Sequence, residues 1–180
     1  MKRVMSLLLI VGVLSGCTAV PPLNFAVSNV EQSTRKIDAD LRSMTVTIAQ
    51  PDESTGPLAS GLSRANATSL WQTALQDALN HQAIFEDDSL HKVNLSVKIL
   101  KFDPPAFGAS MTTTVEAKYE LLDRKNGKIL FSKSISSDGV VSATYAFAGI
   151  VRAQESINRA VENNITQFLQ YLQTVDLSML

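Results

Sequence analysis

Side chains able to act as nucleophiles or general bases are few in this chain. Cys17 is its only cysteine, and His81 and His91 are its only histidines. Neither histidine accompanies a Gly-x-Ser-x-Gly elbow, and two histidines so spaced do not make a zinc site. Glu86, Asp87 and Asp88 cluster without the spaced oxygens of a calcium loop, so they are expected to form a solvated turn. The eight glycines do not recur at the spacing of a phosphate-binding loop. This inventory predicts no catalytic residue, no metal site and no cofactor. Cys17 remains, and its context is specific. Lys2 and Arg3 begin the chain, Leu7 to Leu14 form a short apolar run, and Ser15-Gly16 precede the thiol. A membrane-spanning helix needs about 20 apolar residues, so this run reads as a secretory leader instead.

Leu14-Ser15-Gly16-Cys17 resembles the lipobox of bacterial lipoproteins. The resemblance implies cleavage before Cys17, a thioether from its sulfur to diacylglycerol, and acylation of the new amino terminus. It divides the chain into a signal peptide (1–16), a lipidated N-terminus and tether (17–40), and a periplasmic domain (41–180). In such lipoproteins an aspartate after the cysteine retains the protein in the inner membrane. Thr18 stands there, which implies the outer membrane with the domain facing the periplasm. One acyl chain holds a protein only marginally, at about 0.8 kcal/mol per buried methylene, whereas the three chains implied here would anchor it.

Cleavage before Cys17 removes 16 of 180 residues and leaves 164, enough for one domain with its own core. Loss of Lys2 and Arg3 takes the formal net charge from −1 to −3. That balance gives no electrostatic reason to expect nucleic-acid binding, and it offers no polybasic patch for anionic lipid. With Cys17 lipidated no disulfide is possible, and the fold must stand on packing alone.

Tandem proline at 21 and 22 favours an extended spacer, and residues 18–40 read as tether, with Val27, Val30 and Ile37 as points that could dock. Leu41 to Ala49 alternates apolar Met44, Val46 and Ile48 with Thr45 and Thr47, a strand signal. Residues 50–66 are rich in Pro, Gly and Ser and read as a loop. Trp71, Ala74, Leu75, Ala78 and Leu79 follow at helical spacing, with Thr68 or Ser69 as cap and an end near Phe85. Residues 92–138 predict a three-stranded antiparallel meander. Val93 to Ile99 and Val115 to Leu121 alternate, and Asn126-Gly127 marks the hairpin into the strand through Ile129, Phe131 and Ile135.

A long helix is expected over 150–175. Ala153, Ile157, Ala160, Val161, Ile165, Phe168, Leu169 and Leu172 form its inward stripe, with Arg152, Glu155, Arg159, Glu162 and Asn163 opposite. The fold class is α+β: a single domain of order β-α-β-β-β-α, an antiparallel sheet with both helices packed on one face.

This layout behind a lipobox resembles small Gram-negative envelope lipoproteins, including the YajG-like lipoproteins and the auxiliary lipoproteins of ABC transport systems. Lys92-Val93-Asn94-Leu95-Ser96-Val97 and Glu155-Ser156-Ile157-Asn158-Arg159-Ala160-Val161 also resemble a group of uncharacterised proteobacterial lipoproteins. Two loops hold more apolar surface than plain connectors need. One is the Pro104-Pro105 loop ending in Phe107; the other is the connector with Tyr145 and Phe147. They form a rim for a partner or an acyl chain, or else fold back to close the core. The expected function is a non-enzymatic interaction or adaptor module of an envelope assembly or transport system. It would be held to the membrane by acyl chains on Cys17, with an envelope protein as partner. The alternative is a carrier or sensor of a hydrophobic ligand, which would need the long helix and the sheet to stand apart over a cavity.

Overall fold

The computed structural model describes residues 20, 22–58 and 62–176. Residues 1–16, read above as a signal peptide, and Cys17, read as the lipid attachment site, lie outside the described residues. Six elements follow in order: β1 (Asp40–Ile48), α1 (Leu62–Gln82), β2 (Lys92–Asp103), β3 (Met111–Asp123), β4 (Ile129–Val141) and α2 (Gly149–Leu172). The strands form one sheet in the order β1-β2-β3-β4. The α+β class and the element order are as the periodicity predicts.

The sheet is mixed, which corrects the expectation of an antiparallel one. β2, β3 and β4 are antiparallel neighbours, but β1 pairs with β2 in parallel, Met44 opposite Leu95 and Val46 opposite Val97. The cause is the helix between them: α1 returns the chain to the end where β1 began, so β2 starts alongside β1 and runs the same way. α1 also begins at Leu62, within the stretch assigned to loop. At the other hairpin Gly127 takes φ +73°, a left-handed conformation that its lack of a side chain allows, and its N–H donates to the Asp123 carbonyl.

Alternation closes the core. Val93, Leu95, Val97 and Ile99 from β2 and Val115, Ala117, Tyr119 and Leu121 from β3 are buried under the helices. They meet Trp71, Leu75 and Leu79 of α1 and Ile157, Val161, Ile165 and Phe168 of α2 in one continuous cluster. Tyr119 stacks on Phe168 with ring centroids 4.0 Å apart.

The contact between α2 and the sheet holds a row of buried polar groups that the apolar stripe does not announce. Tyr119 Oη donates to Asn164 Oδ1 at 2.8 Å, and Asn164 Nδ2 donates to the Ile135 carbonyl at 2.8 Å. Ser137 Oγ donates to the Ala160 carbonyl at 2.8 Å, and the Thr113 and Ser156 hydroxyls meet at 2.7 Å. Burial raises the Tyr119 pKa far above the phenol's ordinary value. The buried Trp71 Nε1 has no hydrogen-bond partner among the described residues, so it offers the phenol no bond to offset that burial. Each buried polar group satisfied in this way avoids a desolvation cost of about 1–3 kcal/mol.

Of the stretch read as tether, Val27, Val30 and Ile37 dock as the sequence allowed, and the packing extends further, to the whole segment from Leu23 onward. Phe25 is 1% exposed, Ile37 and Ala39 are buried, and Val27 and Val30 pack against the same core. The segment hydrogen-bonds along both helices. Asn24 N–H donates to Asn158 Oδ1, Ser28 N–H to Glu162 Oε1, Ser33 N–H to the Gln82 carbonyl, and Arg35 to the Gln173 carbonyl. Residues 23–39 are therefore a strap, and contribute no free length to a leash.

The strap delivers Asp40 to the start of β1, where its nearly buried carboxylate lies 2.7 Å from Lys92 Nζ and 3.2 Å from Arg42 Nη1. The Lys92 hydrogen bond, opposed by burial, holds Asp40 below its ordinary value of 3.8. A carboxylate depressed in the fold stabilises it fully above its unfolded pKa, and this contribution is lost as pH falls through the lower folded value. Urea midpoints should therefore place wild type above Asp40→Asn at about pH 7, with the gap shrinking towards about pH 3. A gap independent of pH would dissociate the ion pair from stability.

Candidate functional site

Two loops that are far apart in sequence meet at one end of the molecule. The β2–β3 loop carries Phe107, and the β4–α2 connector carries Tyr145 and Phe147. Phe107 is 89% exposed, Phe147 103% and Tyr145 50%, and Ile150 and Val140 beside them are exposed as well. The rings point outward at this pole and do not close the core, while Met111 and Val141, at the strand ends beside the two loops, are buried.

Arg152, half-buried in the first turn of α2, joins the two loops. Its Nη1 donates to the carbonyls of Ala146 and Phe147 at 2.6 and 2.8 Å, and its Nη2 reaches the Gly108 carbonyl at 3.4 Å. One guanidinium therefore spans both loop backbones, using the forked geometry that lysine lacks. Arg159 sits over the Tyr145 ring at 5.2 Å from its centroid, and also donates to the Val140 carbonyl. The aromatic tips are exposed, yet the backbones that carry them are tied down. Both arginines belong to the helix face assigned to solvent from the sequence. Their part in shaping the pole is invisible to periodicity, because it depends on loops that fold back over the helix.

Exposed side chains make few contacts to lose. Phe107→Ser and Phe147→Ser should each leave unfolding stability within about 0.5 kcal/mol of wild type in urea titration. A loss of several kcal/mol would show the rings to be core.

The two histidines lie elsewhere. His81 is exposed in the last turn of α1, and His91 precedes β2 with Nε2 3.9 Å from an Asp38 carboxylate oxygen. Glu86, Asp87 and Asp88 lie exposed in the α1–β2 connection. Among the described residues no group of three His, Cys, Asp or Glu side chains is arranged to hold a metal ion. The inner faces of α2 and the sheet are in contact: the side chains from Val115 to Leu121 that point inward are fully buried against the inward stripe of α2.

No protein-family model matches the chain, and no curated protein matches it by sequence. Among solved structures it is similar to a Xanthomonas campestris protein of the DUF330 family, with a TM-score of 0.57 at 12% identity over 81% of this chain and 91% of that one. PelC from Paraburkholderia phytofirmans, solved as a dodecamer, gives a TM-score of 0.45 at 13% identity over 87% and 95% of the two chains. A minor lipoprotein from Acinetobacter baumannii gives 0.41 at 11% identity over 74% and 91%. The likeness to the Xanthomonas protein shows a shared fold, a β-α-β-β-β-α domain in a Gram-negative protein, and leaves activity to be argued from this chain's own residues.

Proposed function

We propose that this chain is a lipid-anchored envelope protein that acts by interaction and not by catalysis. Its lipid would be attached at Cys17, and Thr18 directs it to the outer membrane with its domain in the periplasm. Among the described residues no helix is long and apolar enough to cross a membrane. In this reading the acyl chains on Cys17 supply the attachment. The observation that carries the reading is a core closed between α2 and the sheet, combined with a pole where braced loops hold aromatic rings out in solvent. A carrier of hydrophobic ligands needs the reverse arrangement, an interior space with the apolar groups turned inward. The proposed role is that of an adaptor in an envelope assembly or transport system. It would be akin in layout to the YajG-like lipoproteins and the auxiliary lipoproteins of ABC transport systems.

Crosslinking in intact envelopes followed by recovery of the lipidated protein tests the reading, with Cys17→Ala for comparison. A defined envelope protein recovered with wild type and lost with the unanchored variant is the expected result. Co-purification of bound lipid without any protein partner would overturn it in favour of the carrier.

A further inference from the structure

We infer that the aromatic pole is the membrane-facing end of the domain, and that Phe107 and Phe147 rest in the interface of the bilayer that holds the acyl chains. The inference rests on the proposed lipidation of Cys17 and adds to it an orientation and a contact surface.

The direction of the strap carries the argument. Strap residues 24, 28 and 35 meet α2 at residues 158, 162 and 173, so the strap runs the same way as the helix. Followed backward from Asn24, the chain heads towards the beginning of α2 at Gly149, beside Phe147. From Asn158 to Gly149 the helix rises about 14 Å at 1.5 Å per residue. Cys17 lies seven residues before Asn24, a reach of up to about 24 Å when extended. The anchor can therefore stand at the aromatic pole without reversing. The opposite pole, past Leu172, lies about 21 Å from Asn158 in the other direction. Reaching it would require the same residues to double back along the strap.

The chemistry of the pole suits a bilayer surface. Phe107, Phe147 and Ile150 are apolar and fully or largely exposed, and Tyr145 offers the amphipathic ring favoured at the headgroup level. α2 opens there with no acidic residue in its first turn, so that turn adds no charge opposing lipid phosphates at its positive end. The bracing by Arg152 presents the rings with little ordering left to be done on contact. A short apolar surface of this kind sits about 5–10 Å into the headgroup and acyl boundary.

The test uses the full lipidated chain in vesicles of phosphatidylethanolamine and phosphatidylglycerol with brominated acyl chains. Phe147→Trp and Phe107→Trp supply reporters, and Trp71, the chain's only native tryptophan and fully buried, is the internal control. Both reporters should lose most of their emission in vesicles with bromine near the carbonyl end of the acyl chains, while Trp71 keeps its own. Protein that floats with the vesicles while its reporters stay bright would overturn the orientation and leave the lipid anchor standing. Wild type that fails to float would overturn both, because the orientation depends on the anchor.

Discussion

Phe25→Ala is expected to destabilise the domain by about 3–5 kcal/mol, the usual cost of removing a buried phenylalanine ring. The residue stands in a polar, proline-led segment, where a tether would tolerate any side chain. It is instead 1% exposed, and it meets the Trp71 ring edge to face at 6.4 Å between centroids. Because Trp71 is the single tryptophan, its emission reports the strap directly. In the variant, emission should shift red at denaturant concentrations that leave wild type unchanged, as water enters where the ring was. The strap could also peel away on its own, limiting the global loss. Proteolysis within 23–39 then separates the two cases, cutting the variant early while leaving the rest of the domain intact. A stability within about 0.5 kcal/mol of wild type would return the segment to the status of a free tether.

The second large effect is expected at Gly139. A β-carbon there would stand 2.0 Å from the Ser156 carbonyl oxygen and 2.4 Å from the Ala160 nitrogen, both on the backbone of α2. No rotamer change relieves a clash with backbone, so the helix itself must lift from β4. Lifting it would strain the bonds from Ser137 to Ala160 and from Thr113 to Ser156, and would disturb the Tyr119–Asn164 pair in the next layer. Overpacking costs typically 1–3 kcal/mol, and Gly139→Ala should lie at about 3 kcal/mol or beyond. Ser136→Ala on the exposed side of the same strand is the control, expected within about 0.5 kcal/mol. Equal urea midpoints for the two variants would mean that α2 does not pack this closely.

The two sites bear differently on function. Gly139 fixes how α2 sits on the sheet, and α2 carries Arg152 and Arg159, which brace the aromatic loops. Phe25 fixes where the chain leaves the domain on its way to Cys17. Loosening either should spoil the relation between the proposed anchor and the pole before it unfolds the protein.

Much of the fold was legible from local pattern. Alternation marked β2, β3 and β4 because each strand buries one face and wets the other, and Asn126-Gly127 marked the turn because few residues accept a left-handed backbone. The stripe from Ile157 to Leu172 marked α2 by the same logic at a longer period. Leu14 to Cys17 lie outside the described residues, and lipid attachment there rests on the resemblance to a lipobox alone.

Other features depended on contacts that no window of sequence contains. Periodicity is blind to strand direction, so the parallel pairing of β1 with β2 emerged only from where α1 returns the chain. Ser137, Ser156 and Asn164 are polar and belong to no apolar pattern, yet they are buried because partners on the facing element satisfy them. A single phenylalanine has no period, so the docking of Phe25 could not be separated from tether. The aromatic pole lies in the same class. The sequence by itself supplied Phe107, Tyr145 and Phe147 as excess apolar groups in two loops. The tertiary structure decided that one arginine would bring the loops together and that the rings would face outward, because the bonds from Arg152 fix the loop backbones and leave the side chains in solvent.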